Sequence, residues 1–496
     1  MLTSIAVAQS TPDLVRAWVA AHQHDILREY VELLSIPNVA SDSANIRRNA
    51  EHIADMLRRR GTPARLLEEL GGPPLVYGEL ASPGATHTLI IYAHYDGQHV
   101  DAAQWASPPW SPTLRDNTLV QGGKEVPLNS LPATIPGEWR LYARSVSDDK
   151  APIEAVVAAL DALKATGAEP SVNLKFLFEG EEEAGSPHLA AAMEKYSELL
   201  KADAWLLCDG PVHQTRRMQV YFGARGMTDL EITVYGPLHA LHSGHYGNWA
   251  PNPAALLAEL LASMRDENAN ITIAGYYHDV RALTEPEKQA IAAAPAVDTQ
   301  LRRELGLAWT EGESEPLMMR IMHPAINIRG LDSGNVGDKA MNAIPTQARA
   351  SIDFRLVPDQ QPERVHQLVE AHVAKLGFYI VHQAPTPEER LAHGKIVLLN
   401  WGSGYPAART SMDLPVSRAA VHAIESALGT TIVKAPTLGG SVPIYLFLAR
   451  APVIGVPIVN HDNNQHAKNE NLRLQNLWDG IQVFAGLMTG MAGEWR

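Results

Sequence analysis

Four short apolar runs, each followed within a few residues by a histidine or an acid, constrain this chain more than any other feature. They are residues 86–93 (THTLIIYA), 172–178 (VNLKFLF), 204–208 (AWLLC) and 452–458 (PVIGVPI). Each is too short for a helix and apolar at both alternating sets of positions, as strands buried on both faces are. Helical spacing fills the gaps, over about 13–34, 43–60, 152–164 and 189–200. Strands alternating with helices predict an α/β fold, a mostly parallel sheet with helices on both faces. Near residue 219 the pattern changes. Residues 228–234 (TDLEITV) and 348–356 (ARASIDFRL) alternate apolar and polar side chains, like half-exposed antiparallel strands, and a helix-rich stretch at 253–304 separates them. Parallel-sheet character returns after about 407. The expected organisation is one domain, 1–216 and 409–496, interrupted by an inserted α+β domain at 217–408. A length of 496 residues, too great for one ordinary core, agrees with two.

Charge and cysteine content narrow the chemistry. Lys+Arg is 41 against Asp+Glu 55, a net −14, which argues against nucleic acid as a partner because phosphate contact needs a basic footprint. The single cysteine, Cys208, excludes an internal disulfide and a thiolate zinc knuckle. Any metal must then be held by carboxylates and by some of the 20 histidines. No stretch reaches the roughly 18–20 apolar residues of a membrane span. Leu2–Ala8, with Ala6-Val7-Ala8 before Gln9, reads equally as a frayed terminus or as the end of a signal peptide lacking its basic front. The compartment stays open between cytoplasmic and periplasmic or secreted.

Five clusters fall at the carboxyl ends of expected strands or in the loops after them, the edge where open α/β sheets bind ligands. His94-Tyr95-Asp96 places two polar side chains on one side of an extended segment, so that one can ligate a metal while the other orients it. Ser147-Asp148-Asp149-Lys150 opens a helix, where carboxylates act either as caps or as a ligand shared by two ions. Glu179-Gly180-Glu181-Glu182-Glu183-Ala184-Gly185-Ser186 crowds four glutamates against a buried strand, a repulsion that a divalent cation relieves. Asp209 and His466 complete the set, each with an ordinary reading as a turn residue.

In order, these motifs resemble the di-zinc hydrolases that include carnosinase, carboxypeptidase G, succinyl-diaminopimelate desuccinylase and aminoacylase. The match runs from the HxD to the HxxNE near the C-terminus. The resemblance implies that the interrupted domain is catalytic and the insert a lid and dimerisation domain. It implies two divalent ions, zinc foremost with manganese or cobalt as alternatives: His94 and Asp209 on one, Glu183 and His466 on the other, Asp148 bridging. It implies Glu182 as general base and Asp96 as the support of His94. Asp148 is preferred over Asp149 by the family's D-x-K spacing, and Glu182 over Glu181 by E-E-x-G-S. Ala151, where the family usually has glycine, departs from the pattern. Such a site needs no side-chain nucleophile, and no G-x-S-x-G elbow occurs.

In the insert, His242 of the HSG element resembles the family's oxyanion-stabilising histidine, with His239 and His245 as neighbouring competitors. Asn342 and Arg355 resemble its grip on a substrate carboxylate, for which an arginine fork is suited. Ser441 of Gly439-Gly440-Ser441 resembles a further contact of the dipeptidase branch, but Thr437 stands where carnosinases carry arginine. Tyr95, Trp105, Trp110 and Trp249 are candidates to line a substrate pocket. The expected function is metal-dependent hydrolysis of dipeptides or short peptides with a free carboxylate. N-acyl-amino-acid deacylation on the same centre is the alternative, and a noncatalytic metal-containing binding protein the alternative from another class. A homodimer through the inserted domains, with His242 and Asn342 crossing to the partner, is a further implication of the resemblance.

Overall fold

The computed structural model describes residues 9–68, 71–312, 315–440 and 442–495. The apolar runs form the middle of an eight-stranded sheet. Edge to edge it runs Ala64–Leu67, Leu75–Leu80, Asn173–Glu179, Thr88–His94, Ala204–Leu207, Val453–Gly455, Gln219–Tyr221 and Val433–Ala435. The four central strands are mutually parallel, so their carboxyl ends share one edge. Burial on both faces explains their unbroken apolarity. Leu89, Ile91 and Ala93 enter one core with helices Thr11–Leu34, Lys150–Thr166 and Leu474–Gly490. Ile90 and Tyr92 enter another with helices Leu189–Lys195 and Ile444–Leu448.

Some elements are shorter than their apolar patterns. The last central strand spans Val453–Gly455 within the expected 452–458, and the helix from Leu189 stops at Lys195. The 253–304 stretch is three helices, Pro253–Ala262, Glu285–Ala293 and Asp298–Glu304. The second starts afresh at a capping box between Thr284 and Glu287, with a proline in its first turn.

A second sheet has the order Ala325–Asp332, Gln347–Leu356, Gly226–Tyr235, Ile396–Tyr405, Tyr379–Val381, antiparallel except for its last pair. Leu230, Ile232, Val234, Ile352 and Phe354 face helices Pro253–Ala262 and Pro362–Lys375, forming a separate core. The chain passes between the two sheets twice, at one place: Gly223–Ala224 pairs with Ala408–Arg409. There Gly226 lies so close to the returning strand that a Cβ would meet the Ala407 nitrogen at 2.4 Å, which only glycine avoids. Among the described residues no helix is long and apolar enough to cross a membrane.

Candidate metal centre

The shared strand edge gathers the five clusters. His94, the last residue of its strand, is fully buried, and its Nε2 lies 2.9 Å from Asp148 Oδ1. The other oxygen of Asp148, Oδ2, lies 3.0 Å from His466 Nε2, which is also 3.2 Å from Glu183 Oε2. One carboxylate thus faces two imidazoles from opposite oxygens. One donor atom each from His94, Asp148 and Asp209 falls within 4.8 Å of the others, and the same holds for Asp148, Glu183 and His466. These two groups share only Asp148. Nitrogen and oxygen donors without sulfur suit zinc, manganese or cobalt.

Local folding separates each candidate from its neighbour. Asp149 turns to the His94 backbone, whose N–H donates to its Oδ2 at 3.3 Å, while Asp148 points into the cluster. Glu181 is engaged by His188, whose N–H and ring nitrogen approach Oε1 at 2.9 and 3.0 Å. That leaves Glu182, with Oε2 3.9 Å from His94 Nε2. Asp96 is buried and accepts the Glu182 N–H on Oδ1 at 3.1 Å and the Glu183 N–H on Oδ2 at 3.0 Å. Its Oδ1 also lies 3.3 Å from His94 Nδ1, which has no aligned partner. Asp96 therefore fixes the glutamate turn as well as flanking the histidine.

Two residues of the site escaped the sequence reading. Glu470, buried, accepts from Ser145 N–H and Arg144 on one oxygen, at 2.8 and 2.9 Å. Its other oxygen takes the N–H groups of Ser147 and Asp148, at 2.8 and 2.9 Å. It pins the loop that presents Asp148. Its place in the HxxNE motif was the available signal. Gln98 donates to Glu183 Oε2 at 2.8 Å, and nothing in the sequence marked it.

The charges are strongly coupled. Burial opposes ionisation of Asp148, but hydrogen bonds from His466 and His94 hold it below the usual carboxylate range. Those with Asp148 and then Glu183 raise His466 to about 10. Burial, then repulsion from Asp148, pushes Asp209 up to about 6. Burial, with the Asp209 and Asp148 charges, also raises Glu182 well above its ordinary value. A carboxyl whose folded pKa exceeds its unfolded value holds its proton more tightly when folded, so ionising it costs stability. Metal-free protein is therefore expected to lose stability as pH rises from about 4 to about 6 through the Asp209 transition. Divalent ions bind the ionised groups, so the rise in melting temperature on adding zinc should be larger at about pH 7 than at about pH 5. Equal shifts at both would contradict this.

The insert's candidates do not all join the cluster. His242 and Asn342 sit beside each other, with Leu241–His242 paired to Ala343–Ile344 and Ser243 N–H donating to the Asn342 carbonyl at 3.0 Å. His242 is exposed, accepts from Gly244 N–H at 3.1 Å and lies beside His245, with ring centroids 4.5 Å apart and the rings tilted by 36°. No described contact connects its ring to the carboxylates. Arg355 stands on the open face of the second sheet, Nε donating to Asp353 Oδ2 at 2.9 Å. Ser441 lies outside the described residues, as does the apolar segment Leu2–Ala8. Of the aromatics, Tyr95 is buried with its hydroxyl on the Pro74 carbonyl, and Trp110 donates to Asn38. Arg144 lies over the Trp105 ring, and Trp249 is largely exposed.

The chain resembles known proteins over nearly its whole length. It is 26% identical over 422 residues to the Cys-Gly metallodipeptidase dug1 of Schizosaccharomyces pombe, covering 83% of this chain and 81% of that one. It is 26% identical over 434 residues to the human Beta-Ala-His dipeptidase, covering 85% and 78%. Among solved structures, an M20 family metallo-carboxypeptidase from Sulfolobus solfataricus superposes with a TM-score of 0.74 at 26% identity, covering 94% of this chain and 99% of that one. Residues 90–490, from within the His94 strand to the end of the C-terminal helix, match Peptidase family M20/M25/M40, and the chain belongs to that family.

Proposed function

We propose that this hydrolase cleaves dipeptides with a free carboxylate, using two divalent ions. His94 and Asp209 hold one, Glu183 and His466 the other, and Asp148 is shared. The observation that carries the reading is the Asp148 carboxylate with its two oxygens directed at two imidazoles. Bound ions supply Lewis-acid polarisation of the scissile carbonyl and lower the pKa of water. Zinc is the ion proposed, and the same donors suit manganese or cobalt. Glu182, with a raised proton affinity and, among the described residues, no ion-pair partner besides His94 at 3.9 Å, takes the proton of the attacking water and returns it to the leaving amine. Asp96 keeps that carboxylate in place through the Glu182 and Glu183 N–H groups. Arg355, with Asn342 and Ser441, receives the substrate carboxylate.

In this reading residues 217–408 are the lid and dimerisation domain between catalytic parts 1–216 and 409–496. Two observations support a homodimer. The edge strand Ala325–Asp332 has exposed side chains over most of its length, and the insert also exposes Trp249, Leu331, Val336 and Met341. His242 and Asn342 are exposed with no described contact to their own cluster, as groups serving a partner's site would be. Leu331→Asp should then yield a monomer by sedimentation, with turnover down at least about tenfold and metal content unchanged. A fully active monomer would sink the crossed arrangement.

The function is tested by turnover of Cys-Gly and β-Ala-His, the dipeptides in the relatives' names, beside matched N-acyl amino acids, in zinc or manganese with a chelated control. Dipeptide turnover that chelation abolishes is the expected result. Cys-Gly should be preferred, since Thr437 stands where carnosinases resemble one another in carrying arginine. Turnover confined to acyl substrates would make the enzyme a deacylase. No turnover of either class in any metal would leave the binding-protein reading.

A further inference from the structure

Arg225 is a buried arginine that neither the metal cluster nor the cores account for. It is 8% exposed, its Nη2 donates to the His323 carbonyl at 2.9 Å, and its Nε, sealed from solvent, meets no acceptor. An arginine desolvated this far usually pairs with a carboxylate.

Strand alternation orders the residues that follow it. Thr228, Leu230, Ile232 and Val234 enter the core of the inserted domain. Residues 227 and 229 therefore belong to the opposite face, and Arg225 immediately precedes the strand. Arg355 stands directly across from Met227 and Asp353 across from Asp229, and the charges of both act on Arg225 two residues before Met227. Burial, followed by the positive charge of Arg355, pulls Arg225 down to about 10, still a cation at neutral pH; Asp353 and Tyr276 act in the other direction. Both guanidinium groups lie near the Asp353 carboxylate and repel each other.

The backbone ties this arginine to the metal centre. Arg225 N–H donates to the Gly440 carbonyl at 3.3 Å, and the preceding residue, Ala224, bridges to Leu438. The Leu438 side chain lies 3.8 Å from where a Cβ of Gly210 would be, and Gly210 follows Asp209. Resting on the dipeptidase reading above, we infer that Arg225 is a second carboxylate-recognising cation of the active site, acting beside Arg355 on the free C-terminus of the substrate. A planar fork with an unused N–H suits a carboxylate, and the anion would offset the repulsion between the two arginines.

The test compares a dipeptide with its C-terminal amide, using metal-loaded enzyme. Arg225→Met should lower kcat/KM for the free acid at least tenfold, mainly through KM, and leave the amide within about twofold. Arg225→Lys keeps the charge and is the safer fold, and it should show a smaller KM rise, again for the acid alone. Melting temperature and metal content of each variant report on folding. Equal losses on acid and amide would make Arg225 only a peg at the crossing between sheets, and no loss on either would remove it from recognition. Both results overturn the inference. A wild type that turns over neither substrate overturns the dipeptidase reading and this inference with it.

Discussion

Glu182→Gln is expected to lower turnover by about three orders of magnitude or more while both metal ions remain bound. The glutamine keeps the size of the side chain and its backbone N–H bond to Asp96, so the turn that presents Glu183 stays in place. What disappears is a carboxylate with a raised proton affinity that neither candidate donor set uses and that lies 3.9 Å from His94 Nε2. In the proposed role the same carboxylate takes a proton in one step and gives it back in another, so removing it would affect both. Glu181→Gln is the matched control. Its carboxylate is engaged by His188, and the loss should stay within a few-fold. Metal content by mass spectrometry separates a lost base from a lost ion. If Glu182→Gln keeps its metals and turns over normally, the base lies elsewhere.

The site was legible in the sequence because its groups sit where short buried strands end, and a parallel sheet brings such ends together whatever the loops do. His94 and the glutamate block could be placed on one edge from apolar runs alone. The choice within each pair came only from the resemblance, through its D-x-K and E-E-x-G-S spacings. Apolar runs and periodicity treat Asp148 and Asp149 alike. What divides them is that Asp149 meets the His94 backbone across 55 residues of sequence. Arg225 was missed for a related reason: one arginine before an alternating strand reads as surface, while in the fold its backbone meets the Gly440 carbonyl and its side chain the His323 carbonyl. His242 shows the opposite limit. Its HSG element was recognisable, yet in a single chain it stands in the open, as the proposed crossing to another copy would require.

Glu470→Gln should cost about 3–5 kcal/mol of stability and weaken metal binding about 10–100-fold. Burial raises the Glu470 carboxyl to about 7, opposed by Arg144, and the group is held there by four donors: Arg144 and the N–H groups of Ser145, Ser147 and Asp148. A glutamine must point its own NH2 at two of those donors and leaves the Arg144 guanidinium, itself buried, without a counter-charge. Both penalties fall on the loop that carries Asp148, the one residue common to the two candidate donor sets. Metal affinity and stability should therefore fall together, by chelator competition and by denaturant unfolding. The double variant Arg144→Met/Glu470→Leu removes the charges as a pair and should be less destabilised than the sum of its single changes, because neither charge is left stranded. A single Glu470→Gln variant as stable as the parent, with unchanged metal affinity, would mean that the loop is held by its own packing and that Glu470 is a passenger in the motif.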